Sequence, residues 1–187
     1  MLYFTSDLHF NHDREFIYKP RGFSSIDDMN NKIIENWNNL ITEEDDVYVL
    51  GDLCLGGPDS IEGNKYLIQQ LKGKLHIIRG NHDTDNRIQM YCECFNVVEV
   101  TDATYLKYEG YHFFLTHYPC ITSNLEKESL KQCTINLYGH THQQTNFYQG
   151  IPFIYHVGVD SHNCTPVLIN TIIKDMYEEV RRCKELL

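Results

Sequence analysis

Five short apolar runs in this chain end on the same kind of punctuation, and that repetition narrows the fold more than any other feature. "YFTS" leads into Asp7 and His9, "VYVL" into Gly51 and Asp52, and "HIIR" into Gly80, Asn81 and His82. "FFLT" leads into His117, and "INLY" into Gly139, His140 and His142. Short runs rich in β-branched and aromatic side chains read as strands. Longer amphipathic stretches separate the first three, so the pattern predicts an α/β chain. In α/β sheets ligands lie beyond the carboxyl ends of strands. Five strand ends bearing imidazole, carboxylate and amide groups are therefore expected to converge.

The spacing predicts the remaining elements. "MLYFTS" reads as the first strand, residues 46–50 as the second and 74–78 as the third. Residues 26–40 place Ile26, Met29, Ile33, Ile34, Trp37 and Leu40 on one helical face, with Ser24 or Ser25 as cap. Helices are also expected at 59–71, 85–94, 123–131 and from Asn170 to about Leu186. "NVVEVT", "TYLKY" and "YHFFLT" read as a meander, and "TNFYQGIPFIYHV" as a hairpin turning at Gly150, Ile151 and Pro152. The 187 residues suit one domain, 1–187.

The donor types suit borderline divalent ions better than calcium. In "DLH" and "HTH" the outer side chains point the same way on extended backbone, so each pair is expected to chelate one ion. The formal charge of −10 argues against stable binding to duplex DNA, unless bound cations reverse the field locally. No apolar run approaches the roughly 18 residues of a membrane span. The N-terminus lacks a basic segment and reads as a strand, so a cytoplasmic address is expected. Seven cysteines with no C-x-x-C pair are expected to be free thiols.

In order, the blocks "DLH", "GD", "GNHD", "H" within "LTHYP" and "GHTH" resemble the signature of the calcineurin-like metallophosphoesterase superfamily, over residues 4–142. The resemblance implies a layered αββα sandwich of two mixed β-sheets flanked by helices. It implies two divalent ions, manganese foremost, with iron, nickel, zinc or magnesium as alternatives. Asp7, His9 and His142 would hold one ion, Asn81, His117 and His140 the other, and Asp52 would bridge them. A hydroxide shared by the ions would attack phosphorus in line, and His82 would protonate the leaving oxygen. The expected substrate is a small phosphate ester: a nucleotide or cyclic-nucleotide diester first, a small-molecule monoester second. A protein phosphatase is disfavoured because "GDLCLGG" lacks an arginine after the aspartate. A scaffold that keeps the fold without turnover is the rival of another class, and it fits poorly with a full ligand set.

Several residues stay open on sequence alone. Residues 9–23 form a basic loop in an acidic chain. They resemble an "HF-x-H…R-x-F" run in a branch of small bacterial and phage-type phosphoesterases. That resemblance implies substrate-phosphate contacts from His12 and Arg21; a solvated loop face is the alternative. Asp83 either orients His82 or caps the next helix. His76 and His112 read as ordinary strand residues, and His156 and His162 as surface residues. Substrate choice is expected to lie in the loops at 10–25 and 118–133.

Overall fold

Strand alternation sorts the apolar residues into two cores. The computed structural model describes residues 1–56, 60–122 and 129–185. In β2 (Asp46–Leu50), Val47 and Val49 enter one core while Tyr48 and Leu50 face the other. β1 (Leu2–Thr5) and β3 (Lys74–Ile78) alternate likewise. These three strands pair in parallel. β4 (Val97–Thr101) joins β3 in parallel, and β9 (Val167–Leu168) joins β1 antiparallel, giving the order β4-β3-β2-β1-β9.

The second sheet has the order β5-β6-β7-β8: β5 (Thr104–Tyr108), β6 (Tyr111–Leu115), β7 (Thr134–Tyr138) and β8 (Ile154–His156). β5 and β6 are antiparallel, and the other pairs are parallel. Both sheets are therefore mixed, and helices flank them.

α2 (Ile26–Leu40) lays Met29, Ile33 and Trp37 on Val47, Val49 and Ile77 in the first core. Ser25 Oγ caps it, accepting from the Asp28 amide at 3.2 Å. Trp37 is fully buried and donates Nε1–H to Lys72 O at 2.9 Å; truncation to alanine would cost about 3–5 kcal/mol. α3 (Ile61–Ile68) and α4 (Asp85–Cys92) add Ile68, Met90 and Tyr91 to that core. The second core lies between the sheets, where Phe4, Leu50 and Ile78 meet Phe113, Leu115, Ile135 and Leu137. α5 (Ile169–Glu185) packs Ile172 and Met176 into it. No helix among the described residues is long and apolar enough to cross a membrane.

Local pattern misled in identifiable places. The expected meander is split: β4 hydrogen-bonds β3 in the first sheet, whereas β5 and β6 pair in the second. The expected hairpin keeps one bridge, Phe147 to Tyr155, and β8 instead extends the second sheet beside β7. A short α1 (Glu15–Tyr18) lies inside the basic loop. The helices expected at 59–71 and 85–94 are shorter than expected, and α5 begins one residue before Asn170. Most of the expected helix at 123–131 lies outside the described residues; Leu130–Gln132 form a 3₁₀ turn. All seven cysteines are free thiols.

Candidate metal centre

Each candidate ligand sits just past a strand of the two sheets. The chain leaves β1 and β2 through left-handed backbone on non-glycine residues: φ is 57° at Asp7, 54° at His9 and 54° at Asp52. His140 and His142, after β7, have φ of 69° and 49°. Such conformations cost on the order of 1 kcal/mol each and collect at functional sites. Asp7 and His9 thus converge through tight left-handed turns, not through the extended backbone that the spacing suggested, and the expectation of one shared ion fails for His140 and His142, which the turns send to Asn81 and to His9 respectively. Several glycines at these exits are required for closeness. A Cβ on Gly139 would meet Ser6 Oγ and come within 2.5 Å of Asp7 Oδ2, and one on Gly51 (φ 90°) would strike the His117 ring.

The side chains form two facing sets. Asp7 Oδ1 lies 3.9 Å from His9 Nε2 and 3.7 Å from His142 Nε2, and the two ring nitrogens are 3.1 Å apart. In the other set, Asn81 Oδ1 is 2.9 Å from His117 Nε2 and 2.8 Å from His140 Nδ1. Asp52 Oδ2 sits between them, 3.8 Å from His9 Nε2 and 3.5 Å from His117 Nε2.

Each carboxylate spends one oxygen on the protein and offers the other. Asp7 Oδ2 accepts from Ser6 Oγ (2.6 Å) and the His140 amide (2.9 Å), while buried Oδ1 has no hydrogen-bond partner. Asp52 Oδ1 accepts from the His82 amide at 2.9 Å, leaving Oδ2 toward the histidines. The imidazoles follow the same logic. His117 Nδ1 lies 2.7 Å from Leu50 O, and His142 Nδ1 lies 2.9 Å from Asp160 Oδ2. Donation from Nδ1 leaves Nε2 as a lone pair aimed into the cluster.

The electrostatics fit cations. Burial raises the Asp7 carboxyl above its ordinary range, although His142, His117 and the Ser6 hydrogen bond pull it down. Burial drives the His9 imidazole far down, toward the neutral form a metal requires. A divalent ion would relieve the first penalty and use the second. Asp7 can group with His9 and His142, and also with Asp52 and His117, in arrangements able to hold a metal ion. Oxygen and imidazole donors without thiolate suit borderline or hard divalent ions.

His82 is set apart from these ligands. Its side chain is 45% exposed, with Nε2 4.0 Å from Asp52 Oδ2. Its carbonyl is held by Arg87, which also donates to Gly56 O at 2.6 Å. Asp83 does neither of the two things expected of it. Buried, it accepts from the amides of Gly80 (2.8 Å) and Asp52 (2.9 Å) and from Tyr91 Oη (2.7 Å), tying the β2 and β3 exits together.

The expectation for Arg21 is corrected. Its side chain is only 2% exposed. Nε and Nη2 grip Asp160 at 2.9 Å each, and the remaining donors reach Asp7 O, Leu8 O and Met29 Sδ. All five guanidinium N–H groups are thus engaged, and none is free for a phosphate. His12 does stand beside the cluster, its ring 5.2 Å from His9 and 6.3 Å from His82.

Sequence reading missed Asp160, which has no local signal. Its partners are 139 and 18 residues away. The Arg21 and His142 bonds hold its carboxyl well below the usual range despite burial, which opposes them. His142 is raised: burial lowers it, but the Asp160 hydrogen bond and the Asp7 charge outweigh that. His156, expected at the surface, is fully buried, and burial pushes its imidazole down to about 3. It lies so close to Gly158 that a Cβ there would come within 2.5 Å of the ring.

This geometry has relatives. An uncharacterized protein of Methanocaldococcus jannaschii is 34% identical over 182 residues, covering 92% of this chain and 89% of that one. The gene 66 protein of Mycobacterium phage D29 is 24% identical over 204 residues, covering 95% and 98%. A crystal structure of a protein of unknown function from Aquifex aeolicus superposes with a TM-score of 0.68 at 22% identity, covering 93% of this chain and 98% of that one, and so shares the fold. The sequence profile of the calcineurin-like phosphoesterase superfamily domain matches residues 1–163. With that match spanning every residue of the cluster, the chain belongs to the calcineurin-like phosphoesterase superfamily.

Proposed function

We propose that the chain is a metal-dependent phosphodiesterase acting on small esters, nucleotide or cyclic-nucleotide diesters foremost. The observation that carries this reading is the pair of half-used carboxylates, Asp7 and Asp52, each with one oxygen turned toward imidazole lone pairs. Members of this superfamily use divalent metals, and the Asp and His groups here can bind them. Asp7, His9 and His142 would hold one ion, Asn81, His117 and His140 the other, with Asp52 Oδ2 reaching both. When bound, two such ions supply Lewis-acid polarisation of a phosphoryl oxygen and acidify a water in the site.

The chain's own residues do the rest. Asp52, oriented by the His82 amide, fixes the spacing of the two ligand sets. Asp160 fixes the ring of His142, and Leu50 O that of His117. His82, half-exposed beside Asp52, delivers a proton to the oxygen that leaves phosphorus. The state of Arg21 favours a diester over a monoester. A monoester brings a second negative charge, and Arg21, the one arginine bordering the cavity among the described residues, is already neutralised by Asp160.

The test is a panel of phosphomonoesters, linear diesters and cyclic nucleotides assayed with manganese, nickel, zinc and magnesium. Faster turnover of diesters with two ions bound per chain is expected. A protein that binds two ions yet hydrolyses no ester would instead be a scaffold, and preference for monoesters would overturn the diester reading.

A further inference from the structure

Beside the metal cluster lies a cavity of about 530 Å³, within the usual range for small-molecule sites. One wall is the cluster itself, with His82 at its edge. The other is built by α1 and the residue that follows it closely: Phe16, Ile17 and Pro20. Ile17 is buried and anchors this lip, whereas Phe16 is 69% exposed. The rings of Phe16 and His12 stand nearly perpendicular, at 88°, with centroids 5.7 Å apart, so His12 does not stack on Phe16. Gln144 lines the same space.

We propose that this lip is the subsite for a flat, uncharged aromatic group of the substrate, a nucleobase, stacked on Phe16. The inference rests on the phosphodiesterase reading and assigns the substrate's organic part. Four features carry it. An exposed phenyl face is poorly placed against water and well placed against a π-face, and every base has one. Arg21 and Asp160, which line the same cavity, pair with each other at 2.9 Å, so that arginine is not free for a second phosphate. His12 neighbours both Phe16 and His82, with centroids 5.7 and 6.3 Å away, so the lip adjoins the His82 edge of the cluster. A carboxamide such as that of Gln144 both donates and accepts, as the edge of a base requires.

The test compares two diesters with the same chromogenic leaving group, thymidine 5′-(p-nitrophenyl) phosphate and ethyl p-nitrophenyl phosphate, under excess manganese. Wild type, Phe16→Ala and Phe16→Trp are measured. The exposure of Phe16 makes both variants safe for folding. The kcat/KM ratio of the nucleoside ester to the ethyl ester should fall about tenfold in Phe16→Ala, chiefly through KM, and recover in Phe16→Trp. Turnover of both esters with a ratio unmoved by Phe16→Ala overturns the subsite and leaves the phosphodiesterase reading standing. Failure of wild type to cleave either ester removes both.

Discussion

The first sheet carries histidine and carboxylate groups at both ends of its strands, and the two ends behave differently. Toward the entry end, His76 lies between Glu99 and Asp46, with Nδ1 and Nε2 at 2.7 and 2.9 Å from their oxygens. Its ring stacks on Tyr48 at 4.5 Å. A cavity of about 540 Å³ adjoins it, nearly the size of the one beside the metal cluster, at about 530 Å³. Volume therefore does not separate the ends. Hydrogen-bond accounting does: both nitrogens of His76 are matched to acceptors, whereas at the exit end His9 and His142 turn Nε2 atoms on each other and Asp7 Oδ1 is unmatched. A satisfied cluster is architecture; a cluster of unmatched, convergent ligand atoms is suited to a cation.

Substitutions can break or sharpen that contrast. Asp52→Asn has the largest expected effect, loss of bound metal and of turnover together, read by metal analysis and ester hydrolysis; two ions retained per chain would show that Asp52 is not shared. His82→Ala should keep both ions while kcat falls about 10²- to 10⁴-fold. The loss should be steepest for poor leaving groups, and equal losses on good and poor ones would deny His82 its role as acid. Asp160→Asn should weaken one of the two ions by about 10- to 100-fold in a calorimetric titration, sparing the other. Unchanged binding of both would reduce Asp160 to a structural brace.

Alongside the buried His9, acid should act through His156. Its folded-state imidazole sits at about 3 against an ordinary 6.5, so between those values the unfolded chain binds a proton that the folded chain refuses. Stability present above pH 6.5 should drain away as the pH falls. Thermal melts of metal-free protein should show this, and His156→Gln should flatten the dependence; an equally steep curve would place the acid sensitivity elsewhere. His76→Gln should have the smallest effect, within about 1 kcal/mol of stability and with both ions retained, because its carboxylate partners are half-exposed. Metal loss in that variant would erase the distinction between the two ends.

Some of this is legible in the sequence. The strands ending at Thr5, Leu50, Ile78, Leu115 and Tyr138 follow from short apolar runs, and the ligand types after them from residue identity. α2 was legible because its apolar face repeats at helical spacing over four turns. Sheet membership was not: β4 and β5 are neighbours in sequence and look alike, yet a two-residue link carries the chain from one sheet to the other. The hairpin failed for the same reason, since β8 gains more from β7 than from its own upstream segment.

The sequence by itself determined which atoms are available to the site, because donor chemistry belongs to side chains and strand ends are written in local hydrophobicity. Tertiary structure alone decided what each atom is free to do. Arg21 looked like a phosphate ligand until its five donors were found occupied, and Asp160 looked like nothing until Arg21 and His142 were found on it. Hydrogen-bond satisfaction depends on partners more than a hundred residues apart, and no local pattern encodes whether such partners are already taken.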